Sequence, residues 1–154
     1  MTENDAIEIL IVEDNPSDAE LTMHAFRKSK LANQVRIVRD GEEALKYLFC
    51  RPPYDHRSFD HPPTLILLDL KLPKVDGLQV VKAVKSDPRT KAIPVIVLTS
   101  SIEERDLIIS YKLGVNSYIQ KPVDFSAFQD VVTQLGMYWL LLNCKPPKTA
   151  FSAA

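Results

Sequence analysis

What the chain lacks narrows its function first. No stretch approaches the roughly 18 consecutive apolar residues of a membrane span. The opening MTENDAIEIL has neither the basic region nor the long apolar segment of a secretory leader. A cytoplasmic protein with no membrane partner is therefore expected. No charge of one sign dominates: 19 Lys and Arg face 20 Asp and Glu, a formal net charge of -1. That balance argues against nucleic acid as a direct partner. Cysteine is scarce, and Cys50 and Cys144 belong to no metal-ligand or redox motif, so two reduced thiols are expected. Repeats and low-complexity tracts are absent. At 154 residues the chain is long enough for one domain with a full core, and a second catalytic or DNA-binding domain has no room.

What is present is an alternation of short apolar runs with longer amphipathic ones, the pattern of a doubly wound α/β sheet covered by helices on both faces. The pattern predicts strands near 7–12, 35–38, 65–69, 94–98 and 116–119, and helices near 16–29, 41–50, 77–86, 102–112 and 124–142. Asn15-Pro16 reads as a cap followed by proline at the first helical position, so the chain should turn into a helix directly after Glu13-Asp14. Asp76-Gly77 and Gly114 mark the turns into the third helix and out of the fourth.

Two segments exceed a minimal five-strand unit. Residues 50–63, CRPPYDHRSFDHPP, form an insertion far longer than the roughly 4–6 residues usual between such elements, and its four prolines favour an extended, ordered excursion. The last helix carries more apolar side chains than one buried stripe needs, among them Phe128, Tyr138, Trp139 and Leu142. Its surplus either folds back on the domain or faces a partner. His24 reads as a structural surface residue. His56 and His61 sit in the proline-rich loop with no enforced metal geometry, so loop packing or a partner contact is the expectation there.

The chemistry follows from polar groups placed after apolar runs: Glu13-Asp14 after ILIV, Asp69 after LILL, Thr99 after PVIVL, and Lys121-Pro122 after NSYIQ. If those runs are neighbouring parallel strands, every group reaches the crevice at their carboxyl ends, where open α/β sheets bind ligands. Three carboxylates in one pocket raise each other's pKa or require a cation, and oxygen donors select a hard ion such as Mg²⁺. A carboxylate can also accept a phosphoryl group as a nucleophile. Lys121 would then offer a positive charge and Thr99 a hydroxyl donor to the transferred oxygens. Each residue alone has a bland explanation as cap, turn or solvated patch; their order at successive strand ends does not.

These residues resemble the receiver domain of two-component response regulators. Spacing supports the likeness, with Thr99 30 residues after Asp69 and Lys121 22 after Thr99. The resemblance implies a flavodoxin-like (βα)5 fold, a five-stranded parallel sheet in the order 2-1-3-4-5. It implies one response regulatory domain over 5–143, a C-terminal tail over 144–154 and no output domain. It assigns Asp69 as phosphoacceptor, with Thr99 and Lys121 on the phosphoryl group. Glu13, Asp14, Asp69 and the Lys71 backbone carbonyl would form the Mg²⁺ site, Glu13 through water. Thr99 and Tyr118 would form the switch, Thr99 moving toward the phosphoryl group and Tyr118 rotating into the space it leaves. Lys71 and Ser101, two residues after Asp69 and Thr99, occupy positions that influence acyl-phosphate lifetime.

VEDNPSDAEL, PVIVLTSS and MYWLLLN look more narrowly like the regulators paired with cyanobacterial phytochrome histidine kinases. That likeness implies a sensor histidine kinase of the bacterial phytochrome type as partner. It also implies a homodimer whose face includes Phe128, Tyr138, Trp139 and Leu142, and a downstream protein of unknown identity. A phosphohydrolase of the haloacid dehalogenase type is disfavoured because Lys71 stands where a second Asp is needed as general acid and base. A flavin-binding protein is disfavoured because no Ser/Thr/Gly-rich phosphate loop follows the first strand. A receiver used as a phosphorylation-independent scaffold would not need the intact set.

Overall fold

A computed structural model describes residues 7–30, 32 and 34–152. Five strands, β1 (Glu8–Val12), β2 (Gln34–Val38), β3 (Leu65–Leu68), β4 (Val95–Thr99) and β5 (Ser117–Gln120), form one sheet in the order β2-β1-β3-β4-β5. All four pairings are parallel, with Ile11 opposite Ile37 and Leu67, and Leu67 opposite Ile96. The order reverses between β1 and β3, which opens a crevice at their carboxyl ends. Five helices cover the sheet: α1 (Pro16–Ser29), α2 (Gly41–Leu48), α3 (Gly77–Ser86), α4 (Glu104–Leu113) and α5 (Phe125–Gly136).

The period-2 alternation of a strand sorts the core into two layers. Ile9, Ile11, Leu65, Leu67, Ile96 and Leu98 face Phe26 of α1 and Phe128, Val132 and Leu135 of α5. Leu10, Val12, Ile66, Leu68, Val95 and Val97 face the other way, toward Ala44 and Leu48 of α2 and Val80, Val81 and Val84 of α3. Because both faces are covered, the central strands read as unbroken apolar runs.

Four of the helices begin on capping side chains. The carboxamide of Asn15 accepts from the Asp18 amide at 3.1 Å, Asp40 from Glu43 at 2.8 Å and Asp124 from Ala127 at 2.9 Å. Asp76 and Gln79 exchange bonds in a capping box. Helix α4 has no such cap, since Glu103 makes no side-chain bond at its start. Gly77 is required by close approach: a Cβ there would lie 2.5 Å from the Asp69 carbonyl oxygen and 2.5 Å from the Leu70 Cα. The third helix can therefore press directly on the backbone that carries Asp69.

The insertion over 50–63 is ordered but not extended, because it folds into turns against α2 and β2. Tyr54 is buried, stacks edge-on to Tyr47 at 5.0 Å, donates to Glu43 at 2.7 Å and accepts from Arg36 at 2.8 Å. The guanidinium of Arg57 lies 3.8 Å from the Tyr47 ring centroid and donates to the Tyr47 carbonyl. Tyr47 in turn bonds Glu8, whose carboxyl burial raises above its ordinary range against the opposing charges of Arg57 and Arg36. Among the described residues no three His, Cys, Asp or Glu side chains cluster as a metal cage, and His56 and His61 are exposed.

The C-terminal helix departs from expectation in two ways. It does not run as one α-helix to 142: the α-helix ends at Gly136, and Met137–Leu142 continue as a π-helical turn. The wider turn carries Trp139 and Leu140 back onto the core layer beneath α5, while Met137, Tyr138, Leu141 and Leu142 remain exposed. Phe128 is not on an outward face at all, since it is 3% exposed and packed against β1, β3 and β4. Beyond it, Lys148–Phe151 form a 3₁₀ turn, and Phe151 packs on the opposite core layer, so the tail crosses from one face of the domain to the other. No helix among the described residues is long and apolar enough to cross a membrane.

Phe128→Ala is expected to cost about 3–5 kcal/mol of folding free energy, and Tyr138→Ala about 1 kcal/mol or less. Urea denaturation of both variants checks this, and comparable losses would contradict the burial of Phe128.

Candidate functional site

Parallel register delivers the functional groups to one edge. The Glu13 amide donates to the Val38 carbonyl at 3.0 Å, the Asp69 amide to Val12 at 3.0 Å and the Lys121 amide to Thr99 at 2.7 Å. Each residue is thus bonded to the neighbouring strand at the point where its own strand ends. Thr99 closes β4 from within the strand rather than following it.

Asp69 is held on both oxygens. Its Oδ1 accepts from the Thr99 hydroxyl at 2.8 Å and the Lys71 amide at 3.2 Å, and its Oδ2 accepts from Lys121 Nζ at 3.0 Å. The Lys121 side chain is 8% exposed and also contacts Glu13 Oε1 at 2.5 Å and Asp18 Oδ2 at 3.0 Å. Glu13 Oε2 accepts from the Asn15 amide at 3.1 Å. Four of the five residues read from the strand ends therefore converge. Asp14 is exposed and makes no hydrogen bond or ion pair in the described structure.

Asp18 was not anticipated. In the sequence it is an acid in the first turn of a helix, a position explained by the helix dipole alone. Only the crossing of α1 over the strand ends reveals its contact with Lys121.

One buried ammonium serves three carboxylates, and the proton affinities of Glu13 and Asp69 diverge. Burial pushes Glu13 up to about 7; Lys121 pulls against this and the charge of Asp69 adds to it. Burial also acts to raise Asp69, but the charge of Lys121 and the bonds from Lys121, Thr99 and the Lys71 amide outweigh it and hold the carboxyl below its ordinary range. Burial acts to lower Lys121, and its bonds to Glu13 and Asp69 more than reverse this. The cluster keeps excess negative charge, and of its two most buried carboxyls Glu13 has the raised proton affinity and Asp69 the lowered one.

The donor set fits a hard divalent cation. All side-chain donors are carboxylate oxygens, Asp14 is unpartnered beside them, and the cluster already draws a cation into its centre. Magnesium characteristically takes one or two protein carboxylates and completes its shell with water, so a full protein cage is not required.

A second network leads away from Asp69. The Ser101 amide donates to the Thr99 hydroxyl at 3.3 Å, and the Ser101 hydroxyl to Asp106 of α4 at 2.7 Å. Lys71 Nζ lies 3.6 Å from the same Asp106 oxygen. Tyr118 donates to the Ser101 carbonyl at 3.0 Å, half-buried against the core layer of α2 and α3. Thr99 and Tyr118 thus already occupy the arrangement expected only after phosphorylation: the hydroxyl is on Asp69 and the ring is turned to the core.

This fold is that of a signalling domain, and the chain belongs to the response regulator receiver domain family, whose model matches residues 9–133. Members of this family are signalling proteins that interact with histidine kinases. Among its relatives, the probable methanogenesis regulatory protein FilR2 of Methanothrix harundinacea is 42% identical over 90% of this chain and 86% of that protein. Response regulator Rcp1 of Synechocystis is 39% identical over 86% of this chain and 88% of its own. The solved Mn(2+)-bound form of Rcp1 superposes with a TM-score of 0.86 at 37% identity, covering 92% of this chain and 99% of that one. The phosphorylated cyanobacterial phytochrome response regulator RcpA gives a TM-score of 0.87 at 42% identity, with the same coverage. The chain is therefore a receiver-domain response regulator related to those of phytochrome signalling.

The pH dependence follows from Glu13. The folded chain binds the Glu13 proton more tightly than the unfolded chain does, so its ionisation costs stability as pH rises from 4.5 to about 7. Asp69 acts in the opposite sense, its stabilising contribution being lost as pH falls through its depressed value. Without divalent cation, Glu13→Gln should remove a decline in melting temperature that the native chain shows between about pH 5 and 7. Identical slopes in melting scans of the two chains would exclude it.

Proposed function

We propose that this chain accepts a phosphoryl group on Asp69 from a sensor histidine kinase, of the phytochrome type, and passes the signal on by changing a surface read by another protein. The observation that carries this reading is the setting of Asp69, a buried carboxylate at a strand end with Lys121 Nζ at 3.0 Å on one oxygen and the Thr99 hydroxyl at 2.8 Å on the other. The likeness to RcpA and Rcp1 supports the phytochrome kinase as donor.

In the transfer, an Asp69 oxygen attacks phosphorus, the P–N bond to the kinase histidine breaks with its electron pair leaving on the imidazole nitrogen, and an acyl phosphate forms. Catalysis is positioning and charge neutralisation. Thr99 transfers its bond from the carboxylate to one phosphoryl oxygen, and Lys121 donates to another. Asp14, Asp69 and the Lys71 carbonyl, with Glu13 through water, would hold Mg²⁺. Held there, it would supply positive charge between the carboxylates and the incoming phosphoryl oxygens, and the Mn(2+)-bound form of Rcp1 supports such a site.

Thr99 and Tyr118 would report the event. Since their inward arrangement exists in the unmodified chain, phosphorylation would deepen one side of an existing equilibrium. Exposed Tyr138 and Leu142, with half-buried Trp139, offer a homodimer or partner face next to α5. We assign residues 5–143 to this receiver unit and 144–154 to a C-terminal tail, within the cytoplasm.

With a small-molecule phosphodonor, labelled phosphate should be incorporated in the presence of Mg²⁺, removed by hydroxylamine, and absent with EDTA or in Asp69→Asn. Label retained by Asp69→Asn would refute the assignment. Thr99→Val should still take label but lose the phosphorylation-dependent change in Tyr118 ring resonances, and an unaltered Tyr118 response would refute the coupling.

A further inference from the structure

An ammonium group has three N–H donors. In the unmodified chain all three of Lys121 are directed at carboxylates, Glu13 at 2.5 Å, Asp18 at 3.0 Å and Asp69 at 3.0 Å. A phosphoryl oxygen arriving at Asp69 can engage Lys121 only if one of the three yields.

Asp18 is the contact most able to yield. Its side chain is 27% exposed, against 6% for Glu13 and 10% for Asp69, so released Asp18 is readily solvated. Its backbone, by contrast, is fixed. The Asp18 amide donates to the cap of α1, Asn15, at 3.1 Å, and its carbonyl accepts from the Thr22 hydroxyl at 2.7 Å. The carboxylate is thus presented from a rigid first helical turn to a lysine 103 residues away. An ordinary surface ion pair would contribute little; this one ends on a lysine that is 8% exposed and shared with the phosphoacceptor.

We propose that Asp18 is a positioning residue of the phosphorylation site: it holds the third N–H of Lys121 in the unmodified chain and competes with the phosphoryl group for it. The inference rests on the assignment of Asp69 as phosphoacceptor. Asp18 thereby sets how strongly the site binds a phosphoryl oxygen, and it does so without touching that oxygen. Removing its charge frees Lys121 and also removes a nearby anion, and both effects favour the incoming group.

The test uses beryllofluoride, a phosphoryl mimic, at saturating Mg²⁺, with Mg²⁺ affinity measured separately for each variant. Asp18→Asn should bind beryllofluoride about three- to tenfold more tightly than the native chain. Asp18→Glu, which keeps the charge, should stay near the native value. Glu20→Gln, which removes an exposed charge from the same helix, should change nothing. In metal-free chains the 15Nζ resonance of Lys121 should move in Asp18→Asn and not in Glu20→Gln, a signature that general loss of helix stability would not produce. Native binding of beryllofluoride with equal affinity in Asp18→Asn would overturn the role of Asp18 alone. No binding by the native chain would overturn the phosphoacceptor assignment, and this inference with it.

Discussion

The structure turns on one buried cation. Lys121 follows the edge strand β5, yet its ammonium lies against carboxylates from the end of β1, the end of β3 and the first turn of α1. Without it, two buried acids would face each other across the crevice in a poorly solvated place, which is prohibitive unless they protonate or capture another cation. The parallel register of β1, β3, β4 and β5 is what brings the lysine there. Glu13 and Asp69, two acids in one cluster, shift in opposite directions: burial prevails at Glu13, while at Asp69 the charge and bond of Lys121 with the bonds from Thr99 and the Lys71 amide outweigh it.

Much of this was legible in the amino-acid order for a physical reason. Strands buried on both faces appear as short apolar runs, and a polar residue that ends such a run sits at the sheet edge. ILIV, LILL and VIVL located β1, β3 and β4, and with them Glu13, Asp69 and Thr99. Asp18 was not legible, because its contact depends on the angle at which α1 crosses the strand ends, and periodicity carries no information on that angle. Phe128 was misplaced for a related reason. The surplus of apolar residues in the last helix is real, but composition does not say which members face inward. The π-helical turn after Gly136 changed the phase, turning Trp139 and Leu140 inward and Tyr138 and Leu142 outward. The turns of residues 50–63 were likewise hidden, since burial of Tyr54 depends on side-chain partners far apart in the chain.

The arrangement of Thr99 and Tyr118 bears on how such a domain changes state. Both residues meet at Ser101, whose amide donates to the Thr99 hydroxyl and whose carbonyl accepts from Tyr118. In the proposed switch, Ser101 would be the link between the site and the surface. A shift of Thr99 in that switch would reach Ser101, and through the Ser101 hydroxyl Asp106 on α4.

Helix α4 has its faces reversed relative to an ordinary amphipathic helix. The side chains it buries are Asp106 and Ser110, while Leu107, Ile108 and Tyr111, with Ile102 just before it, lie open to solvent. The Ser110 hydroxyl has no partner, and no side chain caps the helix start. A helix seated on polar contacts can slide or roll while sacrificing little hydrophobic burial, because the hydrogen bonds it gives up can be remade with water. Apolar seating works like glue, and polar seating works like a bearing. The fourth helix rests on a bearing.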